Sequence, residues 1–323
     1  MSGNIMDYLL WRGDVSFAYS RFNAVDALIL STFTYVNFPK AAKNAVTFRE
    51  GFADWEKLPE DRKFRGLGIM KNKNIELVTA LADNKRFSEV RIGCYVESSS
   101  EKTEQQFSAM TFFLPDGNIF IGFRGTDNSL VGWKEDFNMA VRDGIPSQLE
   151  ATKYVERIAG EYPDARISLG GHSKGGNLAV WAAANVAPDI RKNLKRVYVF
   201  DSPGLSKRMF ESKEYLQVKD RIISFVPEGS IVGIIMYNPP QLIVKSNAEL
   251  LMQHDLFSWQ VSRNGFEYLL ERGSVSRFAE KRISAVVDNL DPGEYTKRVN
   301  RVFDEIKSTA SIKKGLESLL FRG

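Results

Sequence analysis

Arg166-Ile167-Ser168-Leu169-Gly170-Gly171-His172-Ser173-Lys174-Gly175-Gly176-Asn177-Leu178-Ala179-Val180-Trp181 is the stretch whose reading decides the fold. A short apolar strand, 166–169, runs into a glycine-rich turn, and a helix-forming segment, 176–187, runs out of it. The turn fits G-x-S-x-G as Gly171-His172-Ser173-Lys174-Gly175, the pattern that lifts a serine Oγ clear on a sharp strand-to-helix turn. Each residue type has a physical reason. Glycines let backbone and helix approach closely around a strained serine. The helix N-terminus brings unpaired N–H groups and a positive dipole end to the place where an oxyanion forms. A phosphate loop is excluded, because Lys174 is followed by Gly175 rather than Ser or Thr.

Working outward, 107–114 and 118–123 read as two strands joined by Pro115-Asp116-Gly117, whose Asp-Gly supplies hairpin chemistry. Beyond them, helix-like and short apolar segments alternate: helix 147–161, the elbow unit, strand 196–200, strand 221–226 and, after Asn238-Pro239-Pro240, strand 241–245. That alternation signals a parallel sheet with crossover helices. Upstream, 22–38 carries Val25, Leu28, Ile29, Phe33 and Val36 at helical spacing. Val299, Val302, Phe303 and Ile306 repeat that spacing near the C-terminus. The reading is one α/β domain over 1–323: a helical N-terminal cap region (1–90), a catalytic core (91–260) and a helical C-terminal extension (261–323). Its mostly parallel central sheet carries helices on both faces.

Composition narrows the function. With 323 residues, 43% hydrophobic and 26% charged, the chain can bury about three quarters of its unfolded surface, which excludes disordered and disulfide-scaffold classes. Forty-four Lys and Arg against 40 Asp and Glu leave a net charge of +4, scattered evenly, so no nucleic-acid partner is expected. One cysteine and two histidines supply neither a disulfide nor a structural zinc site, and no metal or cofactor is expected. Cys94, in Ile92-Gly93-Cys94-Tyr95-Val96, reads as a small buried hydrophobe. No basic n-region precedes the short Tyr8-Leu9-Leu10-Trp11 run, and the apolar run 231–237 is far below the roughly 20 residues of a membrane span. The expected location is the cytoplasm.

A serine nucleophile at 173 needs a base. Of the two histidines, His172 is the serine's neighbour within the elbow and is expected to point away from it. That leaves His254, downstream of the last sheet strand, in the Ser…acid…His order of α/β-hydrolases. Three carboxylates compete as the acid. Asp201 ends strand 196–200, Glu228 follows the next strand, and Asp255 adjoins His254 but would have difficulty folding back onto its ring. Asp201 and Glu228 both fall at the carboxyl edge of the sheet, where the elbow also lies. The strand end at Phe123-Arg124-Gly125-Thr126 is where such a fold supplies a second oxyanion donor, Thr126, alongside the backbone N–H of Lys174. The mixed apolar and charged segment 127–136, with Leu130, Val131 and Trp133, reads either as a movable lid or as a fixed loop holding Trp133 in the core.

Phe123-Arg124-Gly125-Thr126, Trp133 with Asp136, and Gly-His-Ser-Lys-Gly-Gly at 171–176 resemble the F-R-G-[ST], W-x-x-D and G-H-S-x-G-G patterns of the class 3 (fungal-type) lipases. The chain is more similar still to a bacterial family of lipase-like α/β-hydrolases. That resemblance rests on 7–14 (Asp-Tyr-Leu-Leu-Trp-Arg-Gly-Asp), 22–26 (Phe-Asn-Ala-Val-Asp), 171–179, 200–204 (Phe-Asp-Ser-Pro-Gly), Ser230-Ile231-Val232-Gly233 and Gln253-His254-Asp255. It implies Ser173 as nucleophile, His254 as base, Thr126 as oxyanion donor and Asp201 as acid. The chain departs from class 3 lipases in one respect: their acid lies in a D-I-V-P stretch, and Ser230 stands at that aspartate here. This places the acid at Asp201 or Glu228, and the resemblance favours Asp201.

The expected activity is hydrolysis of carboxylic esters, acyl lipids among them, through an acyl-enzyme, with transient contact to a lipid interface. The competing readings are a catalytically silent binding protein on the same fold, and a thioesterase or peptidase using the same triad.

Overall fold

The computed structural model describes residues 3–65, 70–100, 102, 105–126, 139, 144–274, 276–277 and 280. Its strands are β1 (Val46–Thr47), β2 (Arg91–Ser100), β3 (Gln105–Phe113), β4 (Ile119–Phe123), β5 (Ile167–His172), β6 (Leu194–Phe200), β7 (Ile222–Pro227), β8 (Gln241–Val244), β9 (Val261–Ser262), β10 (Gly265–Phe266) and β11 (Tyr268–Leu269). Nine of these form one sheet in the order β1-β2-β3-β4-β5-β6-β7-β8-β11. The five central strands, β4 to β8, run parallel, and the antiparallel pairings lie towards the edges.

The β3–β4 hairpin turns where the Asp-Gly pair predicts, with Gly117 at φ +80°. Along the parallel strands, Phe123 faces Gly171, His172 faces Phe200, and Phe200 faces Phe225. Their carboxyl ends therefore line up, and the residues that follow each strand meet at one edge.

Alternation along each strand sends side chains to opposite faces. Phe120, Tyr198 and Phe200 join one apolar cluster, whereas Ile119, Ile121, Phe123, Val197 and Val199 join the other. Helices α1 (Ile5–Arg12), α2 (Ala24–Phe33), α3 (Phe48–Glu56) and α4 (Lys71–Asp83) contribute to the first cluster. Helices α5 (Pro146–Glu161) and α6 (Lys174–Asn185) contribute to the second. Helices α1 to α4, which fall within the 1–90 stretch expected as a cap region, thus pack in the apolar layer on that face of the sheet.

Helix α2 is buried from Val25 to Phe33, as suits a helix that is apolar but for Asp26, Ser31 and Thr32. It starts on a capping box in which Asn23 accepts from Val25 N–H at 2.8 Å and Asp26 accepts from Asn23 N–H at 2.9 Å. It ends at Phe33 rather than continuing to 38. Thr34 and Val36 are β-branched, and Pro39 disfavours helical backbone at the residue before it. Asp26 also pairs with Arg86, both side chains fully buried, at 2.6 and 2.9 Å. Arg86 Nη1 donates to the carbonyls of Val15 and Ser20, and Nη2, besides meeting Asp26, donates to that of Arg21, so the buried guanidinium is satisfied.

Two expectations are corrected. Residues 261–269 are not helical: β9 and β10 form a hairpin around Arg263-Asn264, and β11 adds to the sheet edge beside β8. A tight turn ending in Gly265 at φ +156° overrides the helical reading. The face at 299–306 lies outside the described residues. Cys94 is only partly buried, at φ +53° in a β-bulge of β2, and burial pushes its thiol pKa up.

Candidate active site

Ser173 sits between β5 and α6 at φ +56°, ψ −134°, a conformation that costs a non-glycine residue energy and persists only where its surroundings impose it. Two hydrogen bonds do so. Its N–H donates to the Phe200 carbonyl at 3.0 Å, and its carbonyl accepts from Gly176 N–H at 2.9 Å. The end of β4 closes over the turn, since a Cβ on Gly175 would run into the Phe123 carbonyl oxygen. Gly125 lies against the elbow itself: a Cβ there would stand 3.0 Å from Ser173 Cβ and 2.7 Å from the His172 carbonyl oxygen. Lys174 opens α6, which puts its backbone N–H in the first turn of that helix. Its side chain is buried and donates to the Gln106 carbonyl at 2.9 Å. Thr126 is buried at the end of the strand that flanks the elbow.

Asp201 follows β6 directly, at φ +40°, with its N–H on the Phe225 carbonyl at 2.8 Å. Its Oδ2 lies 2.7 Å from His254 Nδ1. Its Oδ1 accepts from the Ser230 hydroxyl and, at 3.1 Å, from Gly233 N–H. The loop after β7 thus holds the carboxylate that ends β6. Ser230 is itself anchored, its carbonyl accepting from the buried Ser276 hydroxyl at 2.6 Å.

His254 ends the short turn Leu250–His254, which is fixed from both sides. Gln253 Oε1 accepts from Gly229 N–H at 2.6 Å, and the Gln253 carbonyl accepts from Trp259 Nε1 at 2.8 Å. The other carboxylates are engaged elsewhere. Glu228 accepts from Ser246 N–H at 3.4 Å, and Asp255 caps Phe257 N–H and pairs with Lys73 at 2.7 Å. Of the three acid candidates, the structure brings Asp201 to His254. The 127–136 segment, including Trp133 and Asp136, lies outside the described residues.

His172 is a residue of this site that sequence reasoning missed. Expected to point away from Ser173, it places its ring centroid 4.2 Å from that of His254, inclined by 38°. Its Nδ1 lies 2.8 Å from the Tyr35 hydroxyl, and its Nε2 makes no well-formed hydrogen bond. Complete burial, with His254 alongside, holds its pKa well below the ordinary histidine value, so the ring is neutral. The alternation of β5 carried the signal: Ser173 leaves the strand at the elbow, but His172 is still paired within it, opposite Phe200.

A parallel sheet with a strained serine between strand and helix at its carboxyl edge defines the α/β-hydrolase fold. A family model described as Mbeg1-like matches residues 81–304, and the chain belongs to this lipase-like family. No curated protein matches it in sequence. Among solved structures, it is similar to the Rhizomucor miehei lipase in its native propeptide complex, at 16% identity and TM-score 0.42, over 85% of this chain and 76% of that one. The Lip2 lipase from Yarrowia lipolytica matches at 12% identity and TM-score 0.43, over 85% and 93% of the two chains. The M37 lipase matches at 17% identity and TM-score 0.43, over 67% and 70%.

Proposed function

We propose that this protein is a serine hydrolase of carboxylic esters that works through an acyl-enzyme. The observation that carries the reading is the hydrogen bond between His254 Nδ1 and Asp201 beside the strained Ser173 elbow. With Nδ1–H held by the carboxylate, Nε2 is the nitrogen left to take the Ser173 proton. The Ser173 Oγ attacks the ester carbonyl, and the negative charge develops on the carbonyl oxygen near the Lys174 and Thr126 N–H groups. The His254 imidazolium returns the proton to the leaving alcohol. Water, deprotonated by His254, then releases the acid and restores Ser173.

An acyl-lipid substrate is supported by the rim beside Asp201, where Ile231, Val232, Ile235 and Met236 are partly exposed. Met252, two residues before His254, is half-exposed. No described helix is long and apolar enough to cross a membrane.

The test is labelling with a fluorophosphonate probe. The wild-type protein should label at Ser173, and Ser173→Ala should abolish both labelling and hydrolysis of short p-nitrophenyl esters. The loss in rate should be about 10⁴–10⁶-fold. A wild type that never labels, or an alanine variant that still does, overturns the reading.

A further inference from the structure

We propose that His172 is a positioning residue for His254, and that its neutral ring, held by Tyr35, forms the platform on which the His254 ring is oriented and its imidazolium stabilised. This rests on His254 being the base of the proposed reaction. The Asp201 hydrogen bond grips one edge of the His254 ring and leaves the ring free to rock about that contact. His172 lies on its face, with centroids 4.2 Å apart, within the range of a cation over a π system. A platform of this kind must stay rigid and uncharged, because a second imidazolium at that distance would repel the first.

Both requirements are met by the surroundings. Nδ1 of His172 is tied to the Tyr35 hydroxyl at 2.8 Å, and the Tyr35 ring also packs edge-on to the imidazole, with centroids 5.8 Å apart. Gly125 leaves room for the Tyr35 hydroxyl, which a Cβ at that position would strike. Total burial and an Nε2 without a well-formed partner disfavour a second proton. Among the described residues, the titratable groups facing His172 are Tyr35 and His254, with Asp201 behind the latter.

The chain has only two histidines, so isotopic labelling of histidine gives a spectrum with two imidazoles. In the wild type, the ring identified by its loss in His172→Leu should stay neutral between pH 5 and 8. Leucine keeps water out but removes the π face. His254 in His172→Leu should therefore titrate about half a pH unit lower than in the wild type, and His172→Phe should restore the wild-type midpoint. The kcat for a short ester should fall about three- to tenfold in the leucine variant at unchanged KM, and recover with phenylalanine. A His172 ring that titrates between pH 5 and 8 overturns the proposal in the wild type, with no variant needed. An unchanged His254 midpoint in His172→Leu also overturns it. These spectra require no turnover, so a protein that fails to label at Ser173 would refute the hydrolase reading while His172 is judged independently.

Discussion

The amide of Ser173 donates to the carbonyl of Phe200 at 3.0 Å, which ties the strained elbow to the residue immediately before Asp201. One strand end therefore sets the serine and the carboxylate together. A shift in β6 would move both relative to His254, whose turn is braced separately by Gln253 and Trp259.

Asp201→Asn is expected to lower kcat for a short ester by about 10²–10⁴-fold, because the amide cannot hold the base in the working tautomer or balance its imidazolium. Glu228→Gln should change kcat by less than about threefold, since that carboxylate's recorded contact is the Ser246 N–H at 3.4 Å. Parallel kinetics of the two variants check this, and the reverse ranking would make Glu228 the acid.

Glycine-to-alanine substitutions at 125 and 160 should move stability in opposite directions. At Gly125 the added Cβ meets the Tyr35 hydroxyl, the His172 carbonyl oxygen at 2.7 Å and Ser173 Cβ at 3.0 Å. Overpacking of this kind costs about 1–3 kcal/mol, and ester hydrolysis should be lost with it. At Gly160, exposed in α5, nothing lies within 4 Å of the new methyl group. Better helix propensity should add about 0.5–1 kcal/mol. Denaturant unfolding of both variants measures the contrast, and a destabilised Gly160→Ala would contradict the helical assignment there.

Stability should fall as the pH drops below the ordinary histidine value of about 6.5. Burial, followed by the neighbouring His254, depresses the His172 pKa in the folded protein, so the unfolded chain binds a proton there first. The contribution is fully present above pH 6.5 and is lost on acidification towards the folded value, at up to about 1.4 kcal/mol per pH unit. Between pH 7 and 5.5 the wild type should lose roughly 1 kcal/mol more than His172→Phe, which has no proton to take up. Urea unfolding at the two pH values tests this, and equal losses in both proteins would show that His172 is protonated in the folded state.

The amino-acid sequence by itself determined the features whose cause is local. The elbow between 171 and 175 is legible because the glycines at 170, 171, 175 and 176 around Ser173 permit one sharp turn between an apolar strand and a helix. The β3–β4 hairpin is legible because Asp116-Gly117 names its turn, and the parallel strands because short apolar runs alternate with helical periodicity. Tertiary structure alone decided three things. It brought Asp201 rather than Glu228 to His254, although both follow strands that end at the same edge; the choice lies with Ser230 and Gly233, about 30 residues away, which hold one carboxylate oxygen while His254 meets the other. It turned 261–269 into strands, because β8 offered an open edge and Gly3 pairs with Val261. It set His172 against His254, because β5 pairs with β6 through His172 opposite Phe200 and so fixes the direction of a side chain that chain adjacency to Ser173 could not. In each case the deciding contact joins residues far apart in the chain, and the periodicity and turn chemistry of a local stretch carry no record of it.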